Sequence, residues 1–285
     1  MIYQTSMIKK KINIGIIGLG HIGGRLYSEI ISKKSDIELK TSSVVNIIAI
    51  SAKNPNKKRS FKFNKKIFYK NPLLIANNPN IDIVFELVGL SDGISKKVIE
   101  VALKNKKHVI TANKAVIAKH GDHLSLLAEK NKVNLEFEAA VGGGIPVLRT
   151  IKDGLSTNKI SKVVGILNGT CNYILSEMEN SKDSFKTVLK KAQKLGYAEP
   201  RNPKYDLNGI DALAKVRILS ALAFNKKISK NKCLMDGIEN IDLRDIEMAA
   251  TLNYRIKLLG ITEIINKKLF ERVHPCLIKK NTYIA

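Results

Sequence analysis

The chain has 285 residues, 44% of them hydrophobic, and a formal charge of +24 from 49 basic and 25 acidic side chains. That length supports a sizeable core divided between two domains. The basic surplus argues against a nucleic-acid binder: lysines outnumber arginines 41 to 8, they spread along the whole chain, and no base-reading motif occurs.

The opening MIYQTSMIKKK reads as a short leader or a late start rather than a signal peptide. Ile12 to Ile17 then forms an apolar run of strand length. It leads directly into Gly18-Leu19-Gly20-His21-Ile22-Gly23 and a helix-compatible RLYSEIISKK. A G-x-G-x-x-G between a buried strand and a helix predicts a dinucleotide-binding turn. Gly18 permits the turn, Gly20 lets backbone amides reach a pyrophosphate, and Gly23 allows close helix–strand packing. Leu19, His21 and Ile22 contribute through their backbone. The unpaired N–H groups at the helix start favour the phosphates.

The second strand spans Val44 to Ile50. An NAD site places an acid after it to hold the ribose hydroxyls. Here the segment is Ser51-Ala52-Lys53-Asn54-Pro55-Asn56-Lys57-Lys58-Arg59, with four cations and no acid. We therefore expect NADP, with NAD possible, and with Lys53 and Arg59 meeting the 2′-phosphate. Further strands are expected at Ile81 to Val88 and His108 to Thr111, joined by a helix at Lys96 to Lys104 capped by Ser95. Alternating helices and near-continuous apolar strands imply an α/β, Rossmann-type, doubly wound parallel sheet over residues 1–140. Lys114, following the last of these strands, is aimed toward the cofactor.

Leu135 to Ala140 reads as another strand, and Val141-Gly142-Gly143-Gly144-Ile145-Pro146 as the joint to a second, α+β domain over 141–285. Exposed carbonyls there, with Glu138, could hold a monovalent cation, or the loop could be a plain hinge. Ile160 to Leu167 is strand-like. The Asn168-Gly169-Thr170-Cys171 that follows contains a glycosylation sequon that a cytoplasmic chain never uses. Cys171 has no nearby histidine to activate it and reads as a buried structural thiol. With Cys233 and Cys276 it makes an odd set without paired spacing, fitting a reducing compartment and neither a disulfide framework nor a zinc site. Ser184 to Leu195 is an amphipathic helix ended by Gly196. An irregular loop carries Glu199 and Asp206 into a helix beginning at Ile210. Asp211 and Lys215, four apart, share one helical face there. The three acids and the lysine could converge on a small polar substrate, or could be a surface loop with an ordinary ion pair. A helix at Asp242 to Arg255 and strand-like sequence complete the chain. No segment approaches a membrane-spanning length.

In order, GLGHIGG, TANK (111–114), EAAVGGGIP (138–146), GILNGTCNYIL (165–175), LGYAEP, DLNGID, YRIKLLG and RVHP (272–275) resemble homoserine dehydrogenase over nearly the whole chain from Lys11. The resemblance implies NAD(P)H-dependent interconversion of L-aspartate 4-semialdehyde and L-homoserine, a cytoplasmic step toward threonine and methionine. It also implies a homodimer paired through the second domain. Lys215 matches the catalytic proton donor and Lys114 a second active-site lysine on the nicotinamide side. Glu199 matches the residue that binds the substrate amine, with Asp206 and Asp211 as acidic neighbours. Glu138, Val141, Gly143 and Ile145 match a sodium or potassium loop. The loop EPRNPKYD departs from the family in having Asn202 before its proline and one extra residue. The family pattern also continues beyond RVHP. The alternative expectation is therefore a truncated nucleotide-binding homologue without turnover.

Overall fold

The computed structural model describes residues 10–200 and 202–285, so most of the opening stretch read as a short leader or late start lies outside the described residues, as does Arg201. The chain forms two compact units that divide between Ala140 and Val141.

The first unit opens with β1 (Lys10–Ile17), α1 (His21–Ser32), α2 (Lys34–Thr41) and β2 (Ser43–Ser51). It continues through β3 (Phe68–Tyr69), α3 (Leu73–Asn77), β4 (Ile83–Glu86), α4 (Ile94–Lys104), β5 (His108–Thr111), α5 (Lys114–Lys130) and β6 (Leu135–Glu136). The strands form one sheet in the order β3-β2-β1-β4-β5-β6, and every pairing is parallel. Burial follows from that topology. Helices cover both faces of such a sheet, so Ile14, Ile16, Ile17, Val84 and Val109 are all buried, as near-continuous apolar runs require. The strand order reverses between β1 and β4, which opens the crevice where ligands of these sheets collect.

Two strands are shorter than the sequence predicts, and one helix is longer. β4 stops at Glu86, because the Val88 amide turns back onto the Glu86 carboxylate at 2.9 Å instead of continuing the ladder. β6 ends at Glu136, and a 3₁₀ turn spans Glu138–Ala140. Helix α4 begins two residues early, capped by Gly93 rather than Ser95. Ser95 is buried inside the first turn, its hydroxyl without a partner among the described residues.

The second unit begins with α6 (Val147–Arg149), extended by a π-helical turn (Thr150–Gly154), then β7 (Lys162–Gly165), α7 (Gly169–Ser181), α8 (Phe185–Leu195) and α9 (Lys204–Leu207). After these come α10 (Ile210–Phe224), β8 (Leu234–Met235), α11 (Leu243–Thr251), β9 (Tyr254–Ile265) and β10 (Lys268–Lys279). The sheet order is β7-β9-β10-β8. Its centre is the long β9–β10 antiparallel hairpin, turned at Asn266-Lys267, both at positive φ, as a tight two-residue hairpin requires. Helices α7, α8, α10 and α11 bury Ile174, Met178, Val188, Val216 and Ile246 in one core with Leu258 and Val273 of the sheet.

Local signals define the helix ends. Ser184 caps α8 through the Thr187 amide, and Gly196 closes it in the left-handed conformation. Asp242 and Asp245 form a reciprocal capping box on α11, which stops at Thr251 rather than running on to Arg255. Among the described residues, no helix is long and apolar enough to cross a membrane.

Candidate functional site

The glycine-rich turn sits at the end of β1, at the reversal of strand order. Gly18 adopts φ +99°, and its amide bonds the Ser51 carbonyl at 2.8 Å, tying the turn to the end of β2. Helix α1 starts at His21, within the motif, so Gly23 lies in its first turn. A side chain on Gly23 would meet the Gly18 carbonyl oxygen at 1.8 Å, whereas one on Gly20 would meet nothing within 4 Å. The first helical turn is thus pressed onto the strand end, while Gly20 faces open space. Leu19 points inward and is buried. His21 and Ile22 are exposed. Beside the turn lies a cleft of about 430 Å³, lined in part by Gly20, His21, Arg25, Lys57, Lys58 and Arg59.

The two cations predicted to meet a 2′-phosphate differ in availability. Lys53 is exposed. Arg59 is half-buried, its guanidinium donating to four backbone carbonyls: Leu19 at 3.2 Å, Pro55 at 3.2 Å, Lys57 at 2.9 Å and Asn54 at 2.8 Å. It also lies over the Phe63 ring at 5.5 Å. With five N–H donors in all, it holds the loop after β2 against the glycine turn and has one donor to spare. Lys57 and Lys58 of the same segment line the cleft, and Arg25 joins them from α1, which spacing in the sequence alone did not reveal.

The carboxyl edge of β4 and β5 is organised by the acid inside the apolar run IVFELV, which the sequence reading passed over. Glu86 is fully buried. It accepts from the Val88 amide at 2.9 Å, the Thr111 hydroxyl at 2.8 Å and the Asn113 side-chain amide at 3.4 Å. The same Asn113 nitrogen donates to the Leu90 carbonyl at 2.7 Å, while its Oδ1 accepts from Val116 and caps α5. Lys114 is therefore the first residue of α5 and is half-buried. A cation there opposes the helix dipole, which makes the position a poor one for stability alone.

In the second unit, Asp206, Asp211 and Lys215 do come together. Asp211 is 3% exposed. The Lys215 ammonium lies 3.0 Å from its Oδ2 and donates to the Leu167 carbonyl at 2.7 Å. Asn168, which the sequence marks only as a sequon, joins both acids: its Nδ2 donates to Asp206 at 3.0 Å and Asp211 at 2.9 Å. The irregular loop contains a short helix, α9, and Gly209 in the left-handed region before α10. Thr170 donates to the Tyr197 carbonyl at 2.5 Å, and Tyr173 stacks on Tyr197 at 4.5 Å, which seats the loop on α7. Glu199 stands apart. It is exposed, its carbonyl accepts from Gln193 at 3.2 Å, and its carboxylate takes no hydrogen bond from a described residue. Cys171 is fully buried, as expected. Burial first, then the charges of Asp206, Asp211 and Glu239, push its thiol up to about 12. It stays protonated at neutral pH and is no nucleophile.

Of the predicted cation ligands, Glu138 is half-buried in the 3₁₀ turn that ends the first unit. Val141 is buried, and Gly143 and Ile145 are exposed, at the start of the second. The Ile145 carbonyl accepts from Val147 at 2.8 Å and keeps a second lone pair.

Comparison with known proteins returns a family profile described as homoserine dehydrogenase over residues 146–285. The profile of that family's NAD-binding domain matches residues 18–138. Homoserine dehydrogenase of Neisseria gonorrhoeae is 41% identical over 97% of this chain and 63% of its own. The chain thus spans less than two thirds of that relative. A crystal structure of the enzyme from Thiobacillus denitrificans superposes with a TM-score of 0.91 at 37% identity, covering 97% of this chain and 63% of that one. One from S. aureus gives 0.83 at 38%, covering 97% and 69%.

Proposed function

The chain belongs to the homoserine dehydrogenase family, and from that premise we propose that it interconverts L-aspartate 4-semialdehyde and L-homoserine with a nicotinamide cofactor. The observation that carries the reading is the cluster in which Lys215 is fixed between Asp211 and the Leu167 carbonyl, with Asn168 and Asp206 beside it. An amino-acid aldehyde brings a cationic amine and a carbonyl that gains negative charge on reduction. Acids suit the first and an ammonium the second. The same intact cluster argues against a nucleotide-binding homologue without turnover. Homoserine-dependent reduction of NADP by the purified chain tests the function, and binding of NADP with no turnover would overturn it.

The residues present fit the cofactor. Gly18 and Gly23 close the turn against neighbouring backbone, Gly20 leaves room for a pyrophosphate at the start of α1, and cations follow β2 where an NAD site has an acid. Bound NADPH supplies the hydride. The protein's own part is to hold the substrate and manage the proton. Glu199, Asp206 and Asp211 receive the substrate amine. Asp211 and the Leu167 carbonyl orient Lys215, leaving its third N–H for the substrate oxygen. In the reduction direction Lys215 stabilises the developing oxyanion and then protonates it. Lys114 is assigned to the nicotinamide side.

We assign a preference for NADP over NAD to Lys53, with Arg59 shaping the loop. Lys53→Glu is expected to lower kcat/KM for NADPH about tenfold or more, through one lost ion pair and one new repulsion, and to leave NADH nearly unchanged. A wild-type preference for NADH would refute the assignment. Glu138, Val141, Gly143 and Ile145 offer only oxygen donors, which fits a hard monovalent cation. Activity that is the same in tetramethylammonium as in sodium or potassium buffer would count against that site. A cytoplasmic homodimer follows the same family reading, and sedimentation at micromolar concentration checks its assembly.

A further inference from the structure

Asn168 lies at the N-terminus of α7, 3% exposed, with every polar atom of its side chain engaged. Its Oδ1 accepts from the Cys171 amide at 2.8 Å. That bond fixes the orientation of the amide, since a backbone N–H only donates and the two carboxylates only accept. Nδ2 must therefore carry its two hydrogens toward Asp206, at 3.0 Å, and Asp211, at 2.9 Å. One neutral nitrogen thus holds two carboxylates together. Carboxylates brought so close repel each other. An amide bridge opposes the separation without adding charge, while the Lys215 ammonium offsets part of the charge of Asp211 from 3.0 Å. Asp206 is also fixed through its backbone, whose carbonyl accepts from Cys171 at 3.3 Å. The residues from 168 to 171 therefore set both the side chain and the main chain of the acidic turn.

We infer that Asn168 is a positioning residue for recognition of the substrate's amine. It acts through Asp206 and Asp211 by keeping two charged carboxylates gathered for one ammonium. The inference rests on the reading that this loop receives the amine of an amino-acid substrate. Capping of α7 is a separate duty of the same side chain, and the two can be pulled apart. Serine caps a helix about as well as asparagine, but a hydroxyl has one hydrogen and cannot bridge two carboxylates.

The test compares oxidation of homoserine with that of 4-hydroxybutanoate, the same alcohol without the amine, in the wild-type chain and in Asn168→Ser. Loss of the bridge is expected to raise KM for homoserine about tenfold or more while kcat falls less. It should shrink the preference for homoserine over the des-amino alcohol by about the same factor. The dissociation constant of NADPH should stay close to wild type. An unchanged preference, or an equal loss with both alcohols together with a lowered midpoint, would mean that Asn168 serves only the fold. Asn168→Thr, also a capping residue, reads the same ratio if the serine variant does not fold. A wild-type chain that fails to oxidise homoserine would overturn the functional reading and this inference together. A competent wild type with an unaffected variant would overturn the inference alone.

Discussion

Lys215→Ala is expected to lower turnover about a hundredfold or more while NADPH still binds with near wild-type affinity. The side chain supplies two things at the substrate oxygen, a positive charge and a proton, and general acid catalysis alone is worth about a hundredfold to ten-thousandfold. A competing effect must be separated out. The alanine also leaves Asp211, 3% exposed, without the ammonium at 3.0 Å, and breaking a buried pair costs about 3–5 kcal/mol. Asn168 still donates to Asp211, so the loss should fall toward the low end of that range. Thermal unfolding measured beside the kinetics distinguishes lost chemistry from lost fold. Lys215→Arg divides the two catalytic contributions further, since arginine keeps the charge but does not release a proton in any accessible pH range. Turnover near wild type in Lys215→Ala would remove this residue from the mechanism.

The second large effect is expected at Gly23. Alanine would normally help a helix by about 1 kcal/mol over glycine. Here its β-carbon would stand 1.8 Å from the Gly18 carbonyl oxygen and 2.9 Å from the Gly18 carbonyl carbon. Both obstacles are backbone, so no rotamer relieves the clash. The steric term wins, because α1 must lift from the end of β1 and distort the turn. Gly23→Ala should therefore weaken NADPH binding at least tenfold and lower the thermal midpoint by several degrees, about 1–3 kcal/mol for an overpacked site. Gly20→Ala makes the contrast. Its β-carbon meets nothing within 4 Å, and its φ of −79° suits any residue. It should leave the midpoint unchanged and weaken the dinucleotide alone by blocking the approach of the pyrophosphate. Titration calorimetry with NADPH decides both, and full affinity in Gly20→Ala would speak against a phosphate at that spot.

The legible parts of the sequence were those where one local rule dominates. Alanine and leucine after Asn208-Gly209 predict a helix from Ile210, and α10 begins there. The G-x-G-x-x-G follows a buried strand, as its spacing requires. Strand ends were less legible, because Val88 and the residues after Phe137 keep an apolar pattern after the hydrogen-bonded ladder has stopped. The grouping of Asp206, Asp211 and Lys215 was legible, but the groups that hold them were not. Asn168 looks like any asparagine before Gly-Thr. Its role depends on Asp206 and Asp211, 38 and 43 residues away, whose approach is a property of the folded chain. Glu86 did carry a signal, a single acid inside an apolar strand, which burial forbids unless several donors converge on it. Arg59 illustrates a different limit. Charge and spacing suggested a phosphate contact, yet nothing in spacing tells where a guanidinium spends its donors.

The web around Glu86 has an entropic consequence. Ordering a loop when a ligand arrives subtracts from affinity, on the order of 0.5–1.5 kcal/mol for each side chain immobilised. The segments following β4 and β5 share a single buried carboxylate, and Asn113 links them a second time through the Leu90 carbonyl. Their freedom is surrendered during folding. A molecule entering at that edge meets a surface that is already rigid.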